Sequence, residues 1–207
     1  MHIESLAKKL NVKDQLLAYN LLVLKDLGLV EPLTGGLHKI TLEGLNCVQD
    51  RRKRVKLIEE FERISNLEPL PRGRALQELL SRFMEDEGWL QEEGVRTSHE
   101  EMDLIVYRER EYFLIECKWQ KGPIDAPVVR ELYGKLSNRI GVQGILMSMS
   151  GFTRGAVQQA EEYAGQRVIL FFGERDIHRL VYERASFNEL LNEKYRQLIT
   201  RRKILFL

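Results

Sequence analysis

The sequence has little that would point to redox or heavy-metal chemistry. It carries two cysteines, Cys47 and Cys117, at no metal-binding or redox spacing. Its four histidines, His2, His38, His99 and His178, are scattered, and no two share a ligand spacing. It has no apolar run near the roughly eighteen residues that cross a bilayer, so no membrane contact is expected. A basic stretch followed by an apolar run and a cleavage site is also missing, which leaves no visible secretion signal. A reducing, cytoplasmic setting fits these absences. There is no GxxxxGK[ST] motif, and hence no nucleotide cofactor is expected. No internal repeat or low-complexity tract appears. Net charge is only +1, so the overall basic excess common in nucleic-acid-binding proteins is lacking.

What charge there is lies in patches. Arg51, Arg52, Lys53, Arg54 and Lys56 form one basic cluster, and Arg201, Arg202 and Lys203 another. Either could meet phosphate, although a solvated helix face is the commoner origin of such runs. At 207 residues, 43% of them hydrophobic, the chain can bury the core of one medium domain beside a small one. The expected division is 1–46, a connecting helix and linker over 47–72, a main domain over 73–183, and a C-terminal helix over 184–207.

Residues 1–46 read as two helices, the second ending at Gly28, then two short strands around Gly35 and Gly36. Leu17, Leu21, Leu24 and Leu27 keep helical spacing on the second helix. This arrangement resembles a winged helix-turn-helix that begins at the usual second helix; a partner chain or the following helix would cover the side left open. The groove-facing positions of such a module include Lys13, Gln15, Leu16, Tyr19, Asn20, Leu22 and Val23. Three of them are aliphatic, and residues 1–50 hold five Lys, no Arg and six acidic residues. Base reading and protein contact therefore stand as alternatives for this face. Thr41 is the expected N-cap of a long helix running to about Ile64, with Leu45, Val48, Val55, Ile58, Phe61 and Ile64 as its apolar stripe. Pro69 and Pro71 mark the linker, and a helix is expected from Gly73 with Leu76, Leu79, Leu80 and Phe83 inward.

The second half reads as alternating strands and helices. Strands are expected at 89–98, 144–149 and 168–172, and helices after Asp125, Thr153, Asp176 and Ser186. Val129, Leu132, Tyr133, Leu136 and Ile140 would pack the first of these helices on the sheet. Arg130, Lys135 and Arg139 fall outside that stripe, toward phosphate or solvent. Between the first strand and this helix, 101–107 and 112–119 read as a hairpin turned by 108–111. Alternation puts Asp103 on one face of the first strand and Glu116 with Lys118 on one face of the second. Charges at the ends of apolar strands are costly unless paired or metal-bound. Carboxylates suit Mg²⁺, and a neighbouring lysine can hold a phosphate or steer a water. An isolated E-x-K, taken alone, is more often a surface ion pair.

Asp103 followed after twelve residues by Glu116-Cys117-Lys118 resembles the active-site pattern of the restriction-endonuclease-like PD-(D/E)-x-K nucleases. Four pieces resemble their Mrr-type branch more narrowly: Arg72–Phe83 with Gly88–Trp89, the hairpin, Val129–Lys135, and Gly144–Thr153 with Ala156. They run over about 72–182 in that branch's order. The resemblance implies an α/β fold, a mixed sheet flanked by helices, behind the small winged-helix domain. It implies metal-dependent phosphodiester hydrolysis that leaves a 5′-phosphate. Asp103 and Glu116 would bind Mg²⁺ or Mn²⁺, with the Cys117 carbonyl as a further ligand, and Lys118 would act on the water or the phosphate. Gln77 stands where the branch often has a metal-side Glu, next to Glu78, and would contribute a hydrogen bond without charge. The Cys117 side chain points away from Glu116, toward packing.

The reading is a Mg²⁺-dependent DNA endonuclease of prokaryotic restriction and defence, acting as a homodimer. Arg51–Lys56, Arg130 and Lys135 would be its DNA contacts. Repair or recombination work on branched DNA is the alternative on the same core. A non-catalytic regulator using the winged helix is the alternative of another class.

Overall fold

A computed structural model describes residues 3–93, 104–183 and 185–204. The chain forms two compact units, Met1–Lys56 and Leu57–Leu207.

The first unit holds helices α1 (Ile3–Leu10) and α2 (Asp14–Asp26), then the antiparallel strands β1 (Val30–Pro32) and β2 (His38–Ile40). Its core is small: Ala7, Leu17 and Leu21 are buried and Leu6 packs against them. Leu27, expected on the same stripe, is exposed, because α2 has already ended. Gly28 follows at φ +72°, the left-handed conformation that closes a helix. Thr41 accepts a hydrogen bond from the N–H of Gly44 at 3.0 Å and donates one to the carbonyl of Gly28 at 2.7 Å. It thus caps α3 (Leu42–Ser65) and ties it to the end of α2. Position 44 has to be glycine: a Cβ there would meet the Leu29 carbonyl oxygen at 2.1 Å. Only the C-terminal part of the expected α3 stripe is buried, at Phe61 and Ile64; Leu45, Val48 and Val55 are exposed.

The second unit opens with α4 (Pro69–Asp86). Its two prolines do not form a linker, as their helix-breaking character suggested. They occupy the first helical turn, where N–H groups have no intrahelical acceptor and a missing donor costs nothing. Next come β3 (Leu90–Glu93), β4 (Leu104–Arg108), β5 (Glu111–Lys118), α5 (Ala126–Ser137), β6 (Val142–Ser148) and α6 (Arg154–Tyr163). The chain ends with β7 (Ile169–Phe172), α7 (Glu174–Tyr182) and α8 (Phe187–Arg201). The five strands form one mixed sheet in sequence order. The β3–β4–β5 pairs are antiparallel, and the β5–β6–β7 pairs are parallel with α5 and α6 as crossovers. The expected α/β architecture of a mixed sheet flanked by helices is the observed one.

The strand expected over 89–98 is seen at Leu90–Glu93, and 94–98 lie outside the described residues. Trp89, just before it, is buried between Phe113 and Phe187 at ring distances of 5.8 and 5.3 Å. Phe187, Leu190, Leu191 and Leu198 of α8 belong to the same core, so 184–207 does not stand apart as a separate segment. Ser186 and Glu189 start that helix with a reciprocal capping box. Ile140 is fully exposed rather than packed on the sheet, since α5 stops at Ser137.

Candidate active site

β5 is the central strand, with neighbours on both edges and helices over its faces. Five consecutive residues, Phe113 to Cys117, are buried as a result, and the alternating pattern of a half-exposed strand disappears. Glu116 lies in this run, one of four buried polar or charged residues of the described chain. A carboxylate there must be compensated.

Two lysines do this. Lys118 Nζ lies 2.6 Å from Glu116 Oε1, and Lys135 Nζ lies 3.5 Å from Glu116 Oε2. Lys118 shares the strand, and period-2 alternation brings the two side chains to one face, as expected. Lys135 arrives from α5, the crossover between β5 and β6. Its side chain is only 12% exposed, and it belongs to this cluster. Lys135 adjoins the buried Leu136 on a helix that also buries Val129 and Leu132, and its ammonium reaches the carboxylate. Glu116 Oε2 makes no hydrogen bond among the described residues.

The cluster sits at the carboxyl ends of the parallel strands β5 and β6, where Lys118 pairs with Ser148. In open α/β sheets this is the end where ligands bind. Two loops rise from it, held together by a bridge between Ile124 and Phe152. Asp125 accepts hydrogen bonds from the hydroxyl of Thr153 at 2.7 Å and from the N–H of Ala126 at 2.8 Å. Those two donors, the Thr153 hydroxyl first, hold the Asp125 carboxyl below the usual range.

Helix α4 packs against β5. A Cβ on Gly73 would lie 3.7 Å from the backbone nitrogen of Trp119, the residue after Lys118, so the first turns of α4 flank the end of β5. Gln77 is one turn beyond Gly73 on the same side and half-buried, whereas Glu78 is exposed. The Cys117 thiol is buried and pushed up to about 12, mainly by desolvation, as befits a packed, neutral side chain.

Asp103 and His99 lie outside the described residues. Strand β4 begins at Leu104, which pairs with Ile115, the neighbour of Glu116. The β4–β5 turn is tighter than expected, two residues rather than four, with Glu109 at φ +57°. Among the described residues no three His, Cys, Asp or Glu side chains form a metal-binding group. Of the remaining basic candidates, Arg130 is exposed and bonds Gln159 at 3.1 Å, and Arg51, Arg52, Lys53 and Lys56 are exposed on α3. Arg54 on the same helix is half-buried. No described helix is long and apolar enough to cross a membrane.

The family model described as restriction endonuclease, of the Mrr catalytic type, matches residues 72–180, more than half of the 207-residue sequence. No curated protein and no solved structure matches the sequence.

Proposed function

Since the chain belongs to the Mrr-type restriction-endonuclease family, whose members are restriction-endonuclease-like nucleases, we propose that it is a divalent-metal-dependent DNA endonuclease of prokaryotic defence. The observation that carries this is the buried Glu116 with Lys118 2.6 Å away at the carboxyl end of the central strand. A lysine bound to a buried carboxylate at the binding end of a sheet is an expensive arrangement for mere stability. Phosphodiester hydrolysis can use both groups, the carboxylate toward a metal and the lysine toward the phosphate.

The donor set suits Mg²⁺ or Mn²⁺. Glu116 Oε2 is a buried anionic oxygen without a hydrogen bond, and hard cations prefer such oxygens. Asp103 would be the second carboxylate; in sequence it adjoins Leu104, whose strand partner Ile115 adjoins Glu116. The Cys117 carbonyl would be a further oxygen ligand. A divalent cation at such a site supplies Lewis acidity toward a phosphoryl oxygen and favours deprotonation of water.

The chain's own residues would do the rest. Lys118 holds its ammonium toward the non-bridging oxygens of the scissile phosphate, where charge grows in the transition state. Gln77 orients the attacking water by a hydrogen bond. The water oxygen bonds to phosphorus as the bond to the 3′ oxygen breaks, leaving a 5′-phosphate and a 3′-hydroxyl. Arg51, Arg52, Lys53, Arg54, Lys56 and Arg130 supply phosphate contacts along the duplex, which position DNA without reading bases.

Plasmid nicking with and without Mg²⁺, on the wild type and on Glu116→Ala, tests this reading. Metal-dependent nicking by the wild type alone is the expected outcome. Equal nicking by both proteins would remove Glu116 from the chemistry.

A further inference from the structure

We infer that Arg72 is a further DNA contact, a guanidinium held at the strand end that carries Glu116 and Lys118, where it takes a phosphodiester next to the scissile one. This rests on the nuclease reading above and adds a residue to its substrate-binding surface.

Arg72 closes the first turn of α4. The next residue, Gly73, comes so near that a Cβ on it would lie 3.7 Å from the backbone nitrogen of Trp119. Trp119 directly follows Lys118, so Arg72 stands at the carboxyl end of β5. Its guanidinium carbon lies over the Trp119 ring, 4.8 Å from the centre. That ring stacks on Phe61 at 5.7 Å, and His178 and Tyr182 meet Phe61 edge-on at 5.8 Å each. The guanidinium therefore rests on a packed aromatic surface, which fixes the plane of its fork.

Arg82 and Arg179 of the same unit pair with Glu60 and Glu193 at 2.6 and 2.9 Å. Arg72 pairs with no carboxylate among the described residues, and its Nε is buried there without a hydrogen bond. The two terminal nitrogens are not buried, so the outer edge of the fork is the part left open. Stability does not account for this placement. A cation in the first turn of a helix faces the positive end of the helix dipole, and that turn of α4 holds no acidic residue to offset it. An anion does account for it. A partly desolvated guanidinium attracts a negative group more strongly than one in open water, and its outer N–H groups suit a phosphate, which accepts two of them side by side. At this end of the sheet that phosphate belongs to the DNA being cut.

The test compares wild type, Arg72→Gln, Arg72→Lys and Arg74→Gln as full chains. Arg74 is exposed on the same end of α4, so its replacement removes an equal charge from outside the Trp119 contact. Circular dichroism checks that each variant folds. Filter binding of duplex DNA in EDTA over a salt series gives the slope of log affinity against log salt. Single-turnover nicking with Mg²⁺ gives the saturated rate and the DNA concentration at half that rate. Arg72→Gln should bind about tenfold more weakly, with a slope shallower by about 0.9, the loss of one phosphate contact. Its half-saturating concentration should rise by a similar factor while the saturated rate stays close to wild type, as for a binding residue away from the reacting atoms. Arg72→Lys, which keeps the charge but not the planar fork, should keep the slope and recover part of the affinity. Arg74→Gln should match wild type. An Arg72→Gln slope equal to that of wild type, or equal losses in Arg72→Gln and Arg74→Gln, would overturn the inference and leave the nuclease reading standing. DNA neither bound nor nicked by wild type would sink the nuclease reading, and the inference with it.

Discussion

Lys118 Nζ and Glu116 Oε1 are 2.6 Å apart, the shorter of two lysine contacts on one buried carboxylate. Replacing Glu116 therefore takes a charged acceptor from two ammonium groups. Removal of an active-site carboxylate usually relieves repulsion between acids, but the described neighbours of Glu116 are cations. Glu116→Gln should lower stability by about 1–3 kcal/mol, the cost of replacing a charged acceptor by a neutral one beside two partly buried ammonium groups. It should also abolish cleavage. Urea denaturation reads the first effect and plasmid nicking the second. A variant as stable as wild type would mean that the lysines find other acceptors at no cost.

Lys118 and Gln77 should separate by magnitude. If Lys118 acts on developing phosphoryl charge as proposed, Lys118→Met should lower kcat by about 10²–10³-fold, the range for one transition-state donor. Gln77→Ala would remove the proposed neutral hydrogen bond to the water, which corresponds to about tenfold or less. Gln77→Glu should be tolerated and tighten metal binding. Single-turnover kinetics with saturating Mg²⁺ would rank the three. Gln77→Ala falling to the level of Lys118→Met would assign the helix a larger part.

Much of this site is readable from the sequence because strands obey simple rules. Glu116 and Lys118 two apart on one strand must share a face, and the hairpin register places β4 beside them. Lys135 was harder to place. Helical periodicity sets it outside the apolar stripe of α5, and only the packing of that helix on the sheet, against β6, brings a long, flexible side chain back to Glu116. Pro69 and Pro71 misled for a related reason: proline stops a helix or starts one depending on which side of the boundary it falls. Ile140 fits the helical spacing of α5 but lies past its end. The burial of α8 against the nuclease core follows from tertiary packing, which an amphipathic pattern announces without naming the surface it will cover.

Asp125 should make stability sensitive to acid. Its carboxyl lies below the usual range because Thr153 and Ala126 donate to the ionised form. A depressed folded pKa adds stability above the unfolded value, near about 4, and that stability is lost as pH falls through the folded value. The slope of unfolding free energy against pH below about 4 should be shallower in Asp125→Asn than in wild type. Thermal unfolding across pH 2–6 would measure it, on the order of the range over which carboxylates titrate. Identical slopes would show that the hydrogen bonds survive protonation.

Away from the site, Lys194 donates to Asp176 Oδ2 at 2.7 Å with both side chains almost wholly buried. Asp176 Oδ2 also accepts from the N–H of Gly173, which ties β7 to α7 and both to α8. Burial lowers the Lys194 pKa, with Asp176 opposing the shift. Lys194→Ala should cost about 3–5 kcal/mol, since it takes the counter-ion from a buried carboxylate. Asp176→Leu with Lys194→Met should recover much of that loss. Chemical denaturation of both variants decides it. A double variant no more stable than Lys194→Ala would mean that the cap on α7, not the charge pair, is what matters.

Helix α2 exposes Leu16 at 51%, Tyr19 at 64% and Leu22 at 58%, a row too apolar to read bases well. The sequence around it is not basic, with five Lys and no Arg against six acidic residues over 1–50. DNA affinity should then come from the nuclease domain and the Arg51–Lys56 cluster, and the apolar row should serve self-association. Leu16→Glu with Leu22→Glu places charge on side chains that are already exposed, so the fold of the first unit should hold. The variant should keep the wild-type slope of log affinity against log salt, because that slope counts phosphate contacts and none has been removed. It should lose mass in sedimentation, from dimer to monomer. Filter binding over a salt series and analytical ultracentrifugation measure the two quantities on the same proteins. A markedly shallower salt slope at unchanged mass would instead assign α2 to DNA.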